Sequence, residues 1–139
     1  MRAAAAFALA LAACAPMTAE APGLEGPVWV LTSLGGEPVE ARAFLRFDPA
    51  VQGGPRVSGE APCNLFNGAW SGAAEGGALS LGPLIATRRF CPEMSVEDAF
   101  LRALGAAAEA TREGDTLTIT SPDSAALVFA ATEAEPPRP

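Results

Sequence analysis

One stretch of this chain repeats its apolar residues with a helical period, and it is flanked on both sides by short segments that alternate with a period of two. The stretch is SVEDAFLRALGAAAEATRE, residues 95–113. Val96, Ala99, Phe100, Ala103, Leu104 and Ala107 fall on one face of a helix. Ser95 with Asp98 three residues on reads as an N-cap in a capping-box arrangement, and Glu113-Gly114-Asp115 as the stop. Gly105 interrupts the run at a cost of about 1 kcal/mol relative to alanine, which predicts close packing of the helix on a sheet. A single amphipathic helix among alternating strands buries its apolar face on a sheet, so the fold class is α+β and mostly antiparallel.

The strands follow from alternation and turn residues. PVWVLTSLGGEPV sets Trp29 and Leu31 against Val28 and Val30 and turns at Gly35-Gly36. AFLRFD is a short strand expected to close at Asp48-Pro49. PRVSGE and CNLFNGAW are expected to pair around Ala61-Pro62, with Leu65, Asn67 and Ala69 opposite in facing to Phe66, Gly68 and Trp70. GALSLGPLIATRRF reads as one or two strands broken at Gly82-Pro83, and TLTITS and ALVFAA as a hairpin about Pro122-Asp123. No internal repeat is visible.

The N-terminus, MRAAAAFALALAAC, places one arginine before an apolar run from Ala3 to Ala13 that is too short to span a bilayer but suits an export signal. Leu11-Ala12-Ala13-Cys14 resembles the lipobox of bacterial lipoproteins, with cleavage before Cys14 and acylation of its thiol and freed amine. The expected organisation is a signal peptide over 1–13, a lipidated tether over 14–27, one domain over 28–131 and a disordered tail over 132–139. Ala15, where an aspartate would retain the protein at the inner membrane, favours the periplasmic face of the outer membrane. The membrane partner is then reached through acyl chains, at about 0.8 kcal/mol per buried methylene.

Composition excludes more than it selects. Losing Arg2 takes the formal charge from −7 to −8, and the lysine-free acidic chain argues against nucleic-acid binding. With no histidine there is no Ser-His-Asp or Cys-His arrangement, and the commonest zinc ligand is missing. No phosphate loop, G-x-S-x-G elbow or calcium loop occurs, so neither a catalytic residue nor a metal or other cofactor is expected. Glu97 and Asp98 read as first-turn acids that favour the helix macrodipole, not as a catalytic pair. Arg88-Arg89 with Glu93 reads first as a surface ion pair; strand alternation would let only one of the arginines join a given patch. Asn64 and Asn67 suit turn or bulge geometry, and Trp29 and Trp70 are core or rim aromatics.

The order of motifs resembles the META domain, or HslJ-like, family. That family's pattern is carried here by Trp29 and Leu31, then Gly59, Cys63-Asn64, Phe66, Gly68 and Trp70, then Thr87-Arg88 and Cys91. It continues with Glu97, Phe100, Leu101 and Leu104, and ends with Leu117, Ile119 and Phe129. Pro62 stands where the family has glycine, Arg89-Phe90 where it has Met-Ala, and Trp70 where it has tyrosine. The resemblance implies a curved, barrel-like antiparallel sheet with one amphipathic helix packed on it. It also implies a small bacterial envelope protein linked to heat shock, antibiotic tolerance or motility, with no catalytic residues to carry over.

Lipidation of Cys14 leaves Cys63 and Cys91 as an even pair in an oxidising compartment, where a disulfide would close a loop of about 29 residues. The alternative is two buried free thiols acting as small hydrophobes. Two thiols fall short of a metal site, and no histidine is present to activate a nucleophile. The expected function is therefore binding of an unknown envelope protein or peptide, without catalysis; a small-ligand carrier using the barrel interior is the alternative.

Overall fold

The computed structural model describes residues 23–138. The signal segment, Cys14 and the tether as far as residue 22 lie outside the described residues. The strands are β1 (Val28–Leu34), β2 (Glu37–Pro38), β3 (Phe44–Val51), β4 (Gly54–Glu60), β5 (Leu65–Gly72), β6 (Gly77–Leu81) and β7 (Ile85–Ala86). Helix α1 (Met94–Gly105) follows, then β8 (Glu109–Glu113), β9 (Thr116–Ser121) and β10 (Ser124–Thr132). Neighbours run β10-β9-β8-β6-β5-β4-β3-β1, all antiparallel, and β1 pairs back onto β10 from Val28↔Thr132 to Leu34↔Leu127. The result is a closed eight-stranded barrel with one helix packed on it.

A barrel of eight strands has an interior just wide enough for side chains to fill. The period-two faces supply them: Trp29 and Leu31 from β1, Leu45 and Phe47 from β3, Val57 from β4, Phe66 and Trp70 from β5, and Leu117, Ile119, Leu127 and Phe129 from the last hairpin are all buried. Trp29 donates its indole N–H to the Leu24 carbonyl at 2.8 Å and Trp70 donates to the Asp48 carbonyl at 3.3 Å, so both tryptophans are core residues with their polar atom satisfied. Helix α1 sends Phe100 between Phe66 and Phe129, edge-on to each at 5.8 and 6.3 Å between ring centroids. Burying that ring contributes about 1.5–3 kcal/mol.

The chain departs from the sequence reading in several places. The helix stops at Gly105, and residues 109–113 form β8 instead of its last turns. Pairing with β9 along its whole length and with β6 at Glu109 and Ala110 gives EATRE its sheet partners, and this outweighs the helix preference of its alanine and acids. At the other end α1 begins after Glu93, whose carbonyl accepts the N–H groups of Val96 and Glu97 at 3.0 Å, and no side chain caps it. Ser95 lies inside the first turn and the capping box is not made. A Cβ on Gly105 would meet nothing within 4 Å, so close packing does not account for that glycine.

Strand β3 continues past Asp48-Pro49 to Val51; the register to β4 shifts there, and such an irregularity is where a strand tolerates a proline. Leu24, in the segment read as tether, is fully buried, so the domain begins before β1. The segment after β10, read as a disordered tail, makes contacts at and just before β3: Arg42 donates from Nε and Nη2 to the Pro136 carbonyl at 3.0 and 2.7 Å, and Arg46 of β3 pairs with Glu135 at 3.1 Å.

Strand directions give the barrel two unlike ends. Residues 23–27 enter at the end that carries the β3–β4 and β5–β6 turns and the finish of β10, where Leu24 N–H donates to the Ala74 carbonyl at 2.6 Å. The opposite end carries the β4–β5 connection at residues 61–64 and the first turn of α1.

Candidate functional site

The β4–β5 connection is held by an assembly of polar groups and a covalent bond. Cys63 and Cys91 form a disulfide with Cα atoms 5.7 Å apart. Glu97, 3% exposed, points from α1 into the same connection. Its Oε2 accepts the backbone N–H of Cys63 at 2.7 Å and of Asn64 at 2.9 Å, and its Oε1 accepts Asn64 Nδ2 at 2.5 Å. Asn64, 2% exposed, uses its whole side-chain capacity: Nδ2 also donates to the Arg89 carbonyl at 2.9 Å. Its Oδ1 accepts the Arg89 N–H at 2.5 Å and the Thr87 hydroxyl at 3.0 Å. Thr87 Oγ1 in turn accepts the Leu65 N–H at 3.1 Å. The disulfide, Asn64 and Glu97 thus tie β5, the 87–91 segment and α1 into one unit.

Glycines let the backbones come close enough for this. At Gly59 an added Cβ would overlap the Phe44 carbonyl oxygen and approach Phe66 Cζ to 2.8 Å. Gly59→Ala should therefore cost about 1–3 kcal/mol, because β3 and β4 cannot separate without opening the barrel. Urea unfolding of the variant beside the parent measures it, and an unchanged midpoint would refute the contact argument. At Gly68 a Cβ would come within 2.9 Å of Leu84 Cδ2 and 3.2 Å of the Pro83 carbonyl, so this glycine lets the Gly82–Leu84 crossing lie on β5.

Outside this unit stand the most exposed large apolar side chains among the described residues: Phe90 at 89%, Ile85 at 68% and Leu65 at 47%. Ile85 lies opposite Asn67 and Thr87 N–H donates to the Leu65 carbonyl, so Leu65 and Ile85 are diagonal neighbours on the outer face. Phe90 precedes Cys91 and is tied by the disulfide to the start of the same strand. Phe90, Met94, Arg88, Arg89, Thr87 and Asn64 border a surface depression of about 380 Å³.

The sequence expectations for this region divide. The structure brings Cys63, Asn64, Thr87 and Cys91 together with Glu97, while Trp29 and Phe66 lie in the barrel core, Gly59 and Gly68 allow close approaches in its wall, and Arg88 is exposed at the rim. Among the described residues no ion pair involves Arg88, Arg89 or Glu93, so the surface pair expected for them is not formed. β7 ends at Ala86; the two arginines lie beyond it, strand alternation does not apply, and both border the same depression. Cys63, Cys91 and Glu93 lie close enough to suggest a metal group, but sulfurs bonded to each other offer no thiolate. Glu97 stands in the first turn as expected, and what sequence reasoning missed is its burial and its bonds to Cys63 and Asn64. A first-turn acid and a buried acid look alike locally, and the available signal was the turn-forming Cys63-Asn64 pair far upstream.

A closed antiparallel barrel with a helix packed on it and a stapled rim defines a class of small β-barrel domains. The META domain family profile matches residues 22–134, and the chain belongs to that family. Among solved structures, a protein from Burkholderia xenovorans determined by NMR superposes with a TM-score of 0.62 at 21% identity, over 91% of this chain and 100% of that one. A second NMR structure gives 0.60 at 22% identity, over 77% and 90%. A DUF4847 family protein from Bacteroides vulgatus gives 0.51 at 15% identity, over 67% and 61%. These likenesses describe the fold. No curated protein matches the sequence.

Proposed function

We propose that this META domain protein is a non-enzymatic, lipid-anchored protein of the bacterial envelope that binds a protein or peptide partner at the Leu65–Ile85–Phe90 rim. The observation that carries the reading is that the three most exposed large apolar side chains among the described residues lie on β5, β7 and the 87–91 segment, which the disulfide, Asn64 and Glu97 tie together. Exposed apolar groups on a stiff support lose little conformational entropy when a partner covers them. The barrel interior is occupied by Trp29, Leu45, Phe47, Leu117 and Phe129, each at most 1% exposed, which turns attention from an enclosed ligand to the outer surface. An anchor at Cys14 would enter by residues 23–27, at the end opposite the rim, and hold the rim away from the outer membrane's periplasmic face. Heat shock or antibiotic challenge is the setting that the family resemblance suggests.

A photo-crosslinking residue placed at position 90, and separately at exposed position 75 on the tether end, tests this in intact cells. Discrete adducts from position 90 alone, reduced by Ile85→Glu, are expected. Equal adducts from both positions, or none from either, would remove the rim as a binding surface. Fractionation of a Cys14→Ala variant tests the anchor: it should leave the membrane fraction.

A further inference from the structure

Strand β7 pairs with β5 and with no other strand among the described residues, so one of its edges is open. The ladder identifies which backbone groups line that edge. Thr87 N–H bonds to the Leu65 carbonyl, which makes Leu65–Thr87 a hydrogen-bonding pair; the next pair in an antiparallel ladder, Phe66–Ala86, turns its groups outward. The N–H and C=O of Ala86 point away from β5. Ala86 borders a groove of about 590 Å³ that is lined on one side by Leu81, Leu84 and Ala86 and on the other by Leu101, Arg102 and Gly105 of α1. Gly105, which no packing explains, leaves the C-terminal end of that wall without a side chain.

An edge with paired donors and acceptors beside an apolar helix face fits an extended strand and not a helix. Charge specifies it further. Arg102 in the groove wall and Arg88, two residues beyond Ala86, are exposed and make no ion pair among the described residues, although Asp98 lies one turn before Arg102. By contrast, Arg42, before β3, is engaged by Glu60 and the Pro136 carbonyl, and Arg46 in β3 by Glu135. We propose that the β7–α1 groove receives an extended, acidic peptide segment as a strand added on Ala86, its apolar alternate residues on Leu84 and Leu101 and its carboxylates toward Arg102 and Arg88. The proposal rests on the partner-binding reading and names the partner's form.

The probe is a ten-residue blocked peptide alternating valine and threonine with glutamate at both ends, titrated into isotope-labelled protein by NMR. The Ala86 amide is expected to become protected from exchange on binding. Gly105→Phe, which fills the groove where a Cβ meets nothing, should weaken binding by about tenfold or more while leaving the unfolding midpoint in place. Arg102→Glu should weaken it as well. A peptide N-methylated at alternate amides should not bind. No protection of Ala86 at millimolar peptide, or binding indifferent to Gly105→Phe, overturns the groove. An adduct from position 90 that persists in Gly105→Phe also overturns the groove and leaves the rim standing; no adduct in the parent with intact peptide binding does the reverse.

Discussion

Replacing Glu97 with alanine should lower stability by about 3–5 kcal/mol, the range for stripping one partner from a buried charged network. Three donors lose their acceptor together: the N–H groups of Cys63 and Asn64 and the Asn64 amide. Each buried unsatisfied group costs about 1–3 kcal/mol, less where water can reach it, and the depression beside Asn64 gives water partial access. Glu97→Gln keeps one oxygen for the backbone donors but sets an NH2 against Asn64 Nδ2, so it should fall between the parent and alanine. Urea unfolding of the three proteins orders them. An alanine variant within about 1 kcal/mol of the parent would mean that the carboxylate does not hold the connection.

Removing the disulfide should cost nearly as much. Cys63 and Cys91 are 28 residues apart, and the chain-entropy estimate for a loop of that size is about 3–4 kcal/mol. For a domain of this length that is a fall in Tm of roughly 10–20 °C. The double variant Cys63→Ala, Cys91→Ala should reproduce the effect of reductant on the parent and be insensitive to reductant itself. Because Asn64 and Glu97 brace the same connection, removing both disulfide and Glu97 should cost more or less than the sum of the separate losses. A double-mutant cycle reads that coupling, and strict additivity would show that the two act independently.

Much of the barrel is legible in the sequence because each strand carries its own period. Phe66, Gly68 and Trp70 alternate inward as read, and Leu117 and Ile119 pair with Phe129 and Leu127 across the last hairpin. What was not legible depends on partners far along the chain. EATRE has one buried residue, Ala110, and no alternation of large apolar groups; its strand state comes from lying between β6 and β9. The buried face of α1 is centred on Glu97, Phe100 and Leu104, and a carboxylate belongs there because of backbone donors in a connection more than thirty residues upstream. Arg88 and Arg89 were read by a strand rule where no strand exists. Sequence periodicity reports on faces, and the site is built from ends of elements.

The seam between β1 and β10 bears on how the chain acquires this shape. Val28 meets Thr132, so the earliest strand has no second neighbour along most of its length until the last one is present. A chain supplied from its N-terminus, whether by a ribosome or through a membrane channel, therefore cannot seal the barrel while any part is still arriving. Long-range pairing of this kind makes folding slow and strongly cooperative, with β1 and β9 exposed as unfinished edges in the interval. Delivery in an open state is thus imposed by connectivity, and completion of the last nine residues of sheet is the event that commits the molecule to its native form.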